Sequence, residues 1–479
     1  MPTVKRTHRS ERRTSARHSG NGQPFRLDLA ITHLTFEGIQ TYGGGVATVT
    51  RGHLAALPGL QEELAKHSIR ITPYFAEIAY AAEHERRDPE YQRQATEAIL
   101  AMGGRLEFLV NFTQGYLPRA PWGVGDLGSM ENWKVASGSG AAAALSLGRA
   151  HQRSLVYCHD SLFALAPVYI TLQAPAYGVD VVALYVIHST ALLHEMPLPN
   201  PERLMVESLG VQWAKVYPNE RLGYISRFMA DHIIREYGGH PDTLAPAGNG
   251  INPENPWFRL RSREEISDKL RQYRVPLDKP LVFSWGRPVE YKRYDVVIEA
   301  AAQLRGQIHP VIMLSGDYPK LPELARGLGM DVTLINAFDP EFVAAMVQWE
   351  NTQAAASLAL NEPGGLTPME VRMLARKSGA LMVVSNTGGL AEQVSDGQDG
   401  FVTKQDDAKD VARVLRHILT MDERAKRRIR ENGLETVLNR YTWSSQILTT
   451  LAATVPEVGL VADEVRAGLV RKTLAAVRA

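Results

Sequence analysis

Two carboxylates eight residues apart, Glu362 and Glu370, bracket the segment NEPGGLTPMEV at 361–371. Gly364 and Gly365 follow a proline, and Thr367-Pro368 reads as a helix N-cap with proline at the first helical position. Glu362 then lies on the loop before a helix and Glu370 in its first turn. The N–H groups of Gly365, Leu366 and Thr367 would point out of a helix end carrying about half a positive charge, which suits a phosphate. Such a site fits a sugar nucleotide: one acid takes sugar hydroxyls, the helix end the diphosphate, the other acid the ribose. A second segment, FSWGRPVEYKR at 283–293, places Arg287 and Lys292 five residues apart between an expected strand and a helix. Arginine grips an anion in bidentate fashion and lysine acts as a point charge, so both can steady a departing nucleoside diphosphate.

Three weaker patterns accompany these. TYGGGVATVTRGHL (41–54) brings Gly43, Gly44 and Gly45 to a strand–helix junction, where a backbone can approach a ligand closely. No Walker or complete dinucleotide fingerprint is present. CHDS (158–161) and IHST (187–190) end two expected strands, so His159 and His188 are expected to face a cleft, with Asp160 beside the first. SNTGGLAEQVSDGQDGFV (385–402) resembles the end of a nucleotide-sugar pocket, with Glu392 expected in the next helix's first turn. Each pattern also has a plain structural reading: a capped helix, a basic loop, a tight turn, a strand-end histidine. No metal ligand set is expected, because no two Asp are separated by one residue and the histidines do not share a helix face.

The elements that must position these residues alternate. Short apolar runs at 26–34, 69–75, 105–111, 154–159, 180–187 and 222–225 form a first block of strands. Those at 281–285, 310–315, 332–336, 353–358 and 381–385 form a second. Several are apolar on both faces, as parallel strands between helices are. The Pro/Asn/Gly-rich stretch from 242 to 257 reads as a linker. The expected class is therefore α/β, with two doubly wound Rossmann-like domains facing an interdomain cleft. The expected divisions are a disordered basic tail at 1–24, a first domain at 25–250, a linker at 251–279 and a second domain at 280–440. The segment 115–140, with Trp122 and Trp133, reads as a long loop over the cleft that could meet an acceptor.

The chain has 479 residues, 44% hydrophobic and 22% charged, enough for two sizeable cores. Net charge is +1, which gives no global attraction to nucleic acid or anionic lipid. Six Lys/Arg within residues 1–24 lack a following apolar stretch, so a secretory signal is not expected. A single cysteine, Cys158, excludes an internal disulfide and points to a reducing, cytoplasmic setting. No apolar run reaches 18 residues, so no membrane span is expected.

Taken in order, these motifs resemble retaining glycosyltransferases of the GT-B fold, in the family 4 and glycogen-synthase-like group. GR-x4-K (Arg287–Lys292), E-x7-E (Glu362–Glu370) and GGLAEQVSDGQDGF (388–401) carry the resemblance in the second half. The glycine loop, VYCHD and NGI (249–251) carry it in the first. The resemblance implies that Glu362 contacts donor-sugar hydroxyls, Glu370 the ribose, and Arg287 and Lys292 the diphosphate. It also implies that Gly44 and Gly45 approach the phosphate or sugar, that His159 lies by the reacting sugar, and that the C-terminal helix at 441–479 crosses back to the first domain. The implied reaction is metal-independent transfer, with retention, from a UDP- or GDP-sugar to a small molecule. The lysine that polyglucan synthases carry beside the glycine loop is replaced here by Gln40-Thr41-Tyr42, which weakens polyglucan synthesis, while the Arg-rich composition and an acceptor region at 77–140 without a matching pattern fit a natural-product enzyme acting on an acceptor such as an aminoglycoside or lincosamide precursor. A polyglucan synthase, a nucleotide-sugar epimerase and a non-catalytic sugar-nucleotide binder remain the alternatives, and a homodimer is left open.

Overall fold

In a computed structural model the described residues are 25–109, 130–195 and 198–478. The basic tail and Trp122 lie outside them. The first domain contains β1 (Leu27–Thr35), β2 (Ile69–Ile78), β3 (Arg105–Leu109), β4 (Arg153–His159), β5 (Val181–Ile187), β6 (Glu220–Tyr224) and β7 (Leu244–Pro246). The second contains β8 (Leu281–Gly286), β9 (His309–Leu314), β10 (Thr333–Asn336), β11 (Thr352–Ser357), β12 (Leu381–Ser385) and β13 (Phe401–Thr403). Every pairing between these strands is parallel. The sheet orders are β3-β2-β1-β4-β5-β6-β7 and β10-β9-β8-β11-β12-β13. Both follow the doubly wound order, whose direction reverses between the first and fourth strands; ligands bind beyond the strand ends at that point.

Near-continuous Val, Ile, Leu and Ala runs make these strands because both sheet faces are covered by helices. Val156, Tyr185 and Leu222 belong to the core on one face of the first sheet, and Ile31, Leu155 and Leu184 to the core on the other. The second core is completed from the C-terminal end of the chain. Trp443, Ile447, Leu448 and Leu451, on helix Trp443–Thr454, pack against helix Gly45–Ala65. A Cβ on Gly52 would stand 2.1 Å from the Trp443 indole nitrogen, so the helices approach this closely only with glycine there.

The chain therefore crosses between domains twice, and the crossings lie side by side. Ile251 N–H donates to the Tyr441 carbonyl at 2.8 Å, and Trp443 N–H to the Ile251 carbonyl at 3.0 Å. Two expected boundaries change. Residues 244–246 are the last strand of the first sheet, so that part of the Pro/Asn/Gly-rich stretch is no linker. Within 251–279, helix Arg263–Gln272 buries Ile266 and Leu270 in the second domain's core. The returning segment is three helices, Trp443–Thr454, Pro456–Gly459 and Ala462–Arg478, instead of one.

Glu220, at the start of β6, is wholly buried, and neither carboxylate oxygen has a hydrogen-bond partner among the described residues. Burial pushes its pKa up to about 9 from an ordinary 4.5. The folded chain then keeps a proton that the unfolded chain loses above its ordinary pKa. Stability should fall by about 1.4 kcal/mol per pH unit from this group as pH rises toward the folded value. Melting temperatures at pH 5 and pH 8 should therefore lie closer together in Glu220→Gln than in the parent. An unchanged difference would refute this.

Candidate functional site

The two reversal points face each other across a cavity of about 740 Å³, a volume ordinary for a small-ligand site. On the second-domain side it is lined by Arg287, Tyr291, Lys292, Glu362 and residues 363–367. On the first-domain side it is lined by Glu37, Gly43–Gly45, Arg86, Asp160, His188, Ser189, His194 and Asn249.

Arg287 leaves β8 beyond Gly286 and donates to the Tyr291 hydroxyl at 2.7 Å. Lys292 follows on a short 3-10 turn and meets the Glu362 carboxylate at 2.5 Å. Helix Thr367–Leu374 starts beside them, with Leu366 as N-cap and Pro368 in the first turn, so Gly364, Gly365, Leu366 and Thr367 line the cavity at its positive end. Glu370 lies in that first turn, half-buried, and is not among the residues that line the cavity. Burial raises its pKa to about 7, opposed by the charge of Lys292.

Gly44 and Gly45 line the opposite wall, where helix Gly45–Ala65 begins. The end of that helix is already occupied by a protein carboxylate. Glu37 accepts from the Ala47 N–H at 3.0 Å, and a Cβ on Gly44 would lie 2.7 Å from it. Burial raises the Glu37 pKa to about 7 against the pull of the helix amides and Arg86, with Asp160 raising it further. Two of the helix-end amides beside the glycine loop are thus engaged by Glu37, a group that sequence reasoning passed over because no motif marks it. His194 and Arg86 were missed for the same reason. His194 stands on a four-residue helix and its ring lies 6.3 Å from Tyr291 on the opposite domain.

The histidine expectation is corrected. His188 lines the cavity, but His159 is fully buried and does not. His159 is still within β4, paired with Val186, and its ring shares the face of Tyr157 two residues earlier, under helix Gly45–Ala65. There its Nδ1 lies 3.0 Å from His188 Nε2, and its Nε2 lies 3.1 Å from His33 Nδ1. The next residue, Asp160, emerges at the strand end with φ +64° and ψ −179°, a strained conformation for any residue but glycine. Ser189 N–H donates to its carboxylate at 3.2 Å. Burial raises its pKa, with Arg203 opposing and Glu207 adding to the rise. Glu207 braces this corner, receiving hydrogen bonds from Ser161, Tyr237 and Arg203. Trp133 is also corrected: it is buried in the first-domain core on helix Met130–Gly148, whose buried face turns inward, and it does not line the cleft. Although no sequence spacing indicated a ligand set, the fold brings possible ligand atoms of His33, His53 and His159 within 4.8 Å of one another.

Glu392 does something the sequence did not indicate. It stands on the 3-10 turn Ala391–Gln393 of the second domain and accepts from the N–H groups of Arg227 (2.7 Å) and Phe228 (2.6 Å), the first turn of helix Arg227–Tyr237 in the other domain. Asn249 adds a bond to the Gly364 carbonyl at 2.7 Å.

Two Rossmann-like domains with facing switch points define the GT-B architecture. Over its length the chain is similar to sucrose-phosphate synthase from Thermosynechococcus elongatus (TM-score 0.60, 17% identity, 92% of this chain and 100% of that one). It is similar also to Anabaena Alr3699/HepE in complex with UDP-glucose (0.55, 15%, 91% and 100%) and to the catalytic domain of starch synthase IV from Arabidopsis thaliana (0.58, 15%, 90% and 99%). Residues 265–436 match the family described as "Glycosyl transferases group 1". Curated relatives include D-inositol 3-phosphate glycosyltransferases of Corynebacterium aurimucosum (27% identity over 205 residues, 40% of this chain and 47% of that protein) and Thermobifida fusca (27% over 300 residues, 58% and 65%). The chain spans about half the length of the first of these. Among the described residues no helix is long and apolar enough to cross a membrane.

Removing the Glu392 carboxylate should loosen the two domains. A helix-terminus contact of this exposed kind is worth about 1 kcal/mol, so Glu392→Ala should raise the radius of gyration in small-angle scattering while leaving far-UV circular dichroism unchanged. An unaltered scattering profile would show that the contact does not hold the cleft shut.

Proposed function

We propose that the chain is a glycosyltransferase that moves a sugar from a nucleoside-diphosphate sugar to a small polyhydroxylated acceptor, with retention at the anomeric carbon and without a catalytic metal. The observation that carries the reading is that Arg287, Lys292, Glu362 and the positive end of helix Thr367–Leu374 line one cavity opposite Asp160 and His188. Cations and backbone dipoles already aimed at a diphosphate stabilise the charge that develops as the sugar leaves.

In this reading Arg287 and Lys292 receive the diphosphate together with the amides of Gly365, Leu366 and Thr367. Glu362, oriented by Lys292, accepts sugar hydroxyls, and Glu370 accepts from the ribose. The leaving phosphate takes the acceptor proton on the same face, so the bond to oxygen forms where the old one broke. The acceptor occupies the first-domain wall of Glu37, Arg86, Asp160, His188 and His194. The complex of Alr3699/HepE with UDP-glucose supports the donor class, and the inositol phosphate in the names of the curated relatives supports a compact polyol acceptor. Closure of the domains limits loss of donor to water.

Lys292→Ala and Glu362→Ala should each lower turnover at least about a hundredfold with little change in melting temperature. Activity is read as nucleoside diphosphate release over a panel of UDP-, GDP- and ADP-sugars with cyclitol acceptors, and anomeric configuration by NMR of the product. Near-parent turnover in either variant, or a product of inverted configuration, would overturn the reading.

A further inference from the structure

The cleft histidine is the outer end of a buried chain of three imidazoles. His188 Nε2 is 3.0 Å from His159 Nδ1, and His159 Nε2 is 3.1 Å from His33 Nδ1. His33 ends the chain inside the first-domain core, its ring stacked between Phe75 and Tyr157 at 4.7 Å from each. Its remaining nitrogen, Nε2, is buried with no hydrogen-bond partner among the described residues. Burial drives the pKa of His33 down to about 3 and that of His188 to about 4, and that of His159 well below its ordinary value, so each ring is neutral near pH 7. A neutral imidazole carries one proton, on one nitrogen only.

Neutral rings joined this way have just two arrangements. If His33 carries its proton on Nε2, that N–H is buried without an acceptor. The neighbouring His53 Nδ1 is itself unpartnered and makes no hydrogen bond with it. A bare buried N–H is the rarer and costlier defect. The proton of His33 is therefore on Nδ1, donated to His159 Nε2. His159 must then hold its proton on Nδ1 and donate it to His188 Nε2. His188 has Nε2 occupied as an acceptor and carries its proton on Nδ1, the nitrogen left for the cleft.

We infer that His188 faces the substrates as a neutral Nδ1–H donor and not as a base, and that His33, two rings away in the core, is the positioning residue that sets this polarity. In the reaction proposed above, on which the functional half of this inference rests, that N–H donates to an oxygen of the sugar or acceptor, and proton removal falls to the leaving phosphate. His159 touches neither substrate; it transmits the polarity.

The intact chain labelled with 15N-histidine tests the assignment by long-range proton–nitrogen correlation, His188 being identified from the pattern lost in His188→Gln. The expected pattern is Nδ1–H for His188, His159 and His33. An Nε2–H pattern at His188 overturns the inference. So does a stoichiometric metal found by elemental analysis and held by His159 Nε2, since it would take the lone pair that accepts from His33. The two polarities are separated further by substitution. His33→Asn keeps an N–H donor at the Nδ1 position and should leave kcat close to the parent value. His33→Asp puts an acceptor there, should turn His188 to Nε2–H, and should lower kcat about a hundredfold with little change in donor KM, the size of a lost hydrogen-bond donor. Equal losses in both folded variants would mean that His33 only fills space, and would overturn its positioning role. Should His33→Asp not fold, the parent and His33→Asn spectra decide. Absence of any sugar transfer by the parent would defeat the proposed function alone, because the nitrogen assignment is read without turnover.

Discussion

One carboxylate reaches across the cleft and ties its two walls together. Glu392 lies on the second domain, yet its oxygens satisfy backbone N–H groups that open a helix of the first. Free amides at a helix start need an acceptor from outside the helix, and here the acceptor is supplied by the opposite domain. That contact, with the Asn249 bond to Gly364, brings two sets of strand ends together. Neither set alone makes a site: one wall has Arg287, Lys292, Glu362 and a positive helix end, the other Glu37, Arg86, Asp160 and two imidazoles.

The walls differ in how they treat charge. On the second domain the amides before Pro368 line the cavity, and Lys292 is matched to Glu362. On the first domain Glu37 already engages the beginning of helix Gly45–Ala65. Two glycine-rich helix starts that look alike in sequence therefore do different work: one presents its amides to the cavity, and the other commits some of them to a side chain. In the function proposed above, this asymmetry would give the donor one end of the cleft and the acceptor the other.

Much of this was readable from residue order, for physical reasons that also explain the failures. Strands such as Val181–Ile187 are apolar on both faces and declare themselves. The three-residue strands Leu244–Pro246 and Phe401–Thr403 are too short to show any period, so in sequence the former is indistinguishable from the Pro/Asn/Gly-rich stretch around it. Arg287, Lys292 and Glu362 were legible because loop chemistry follows local spacing. His159 was misplaced because a strand's last residue still obeys the two-residue alternation, and its neighbour Asp160 is the one that turns out. Glu37, Arg86 and Glu392 act through partners remote in sequence, and no local pattern encodes those. Glycine and serine around Trp133 suggest a loop, whereas helix Met130–Gly148 buries it through tertiary packing.

The doubled crossing at Ile251 and Trp443 bears on how the molecule is made. The first domain's core lacks Trp443, Ile447, Leu448 and Leu451 until residues 443–451 have been synthesised, long after its own last strand at 244–246. The buried members of the second domain's core all lie within residues 251–438, with only Leu474 and Val477 packing on it from the last helix, so most of that core can assemble while the apolar side of helix Gly45–Ala65 is uncovered. Synthesis order and folding order are thus partly reversed, and a nascent chain stalled after residue 440 would present that uncovered face to chaperones.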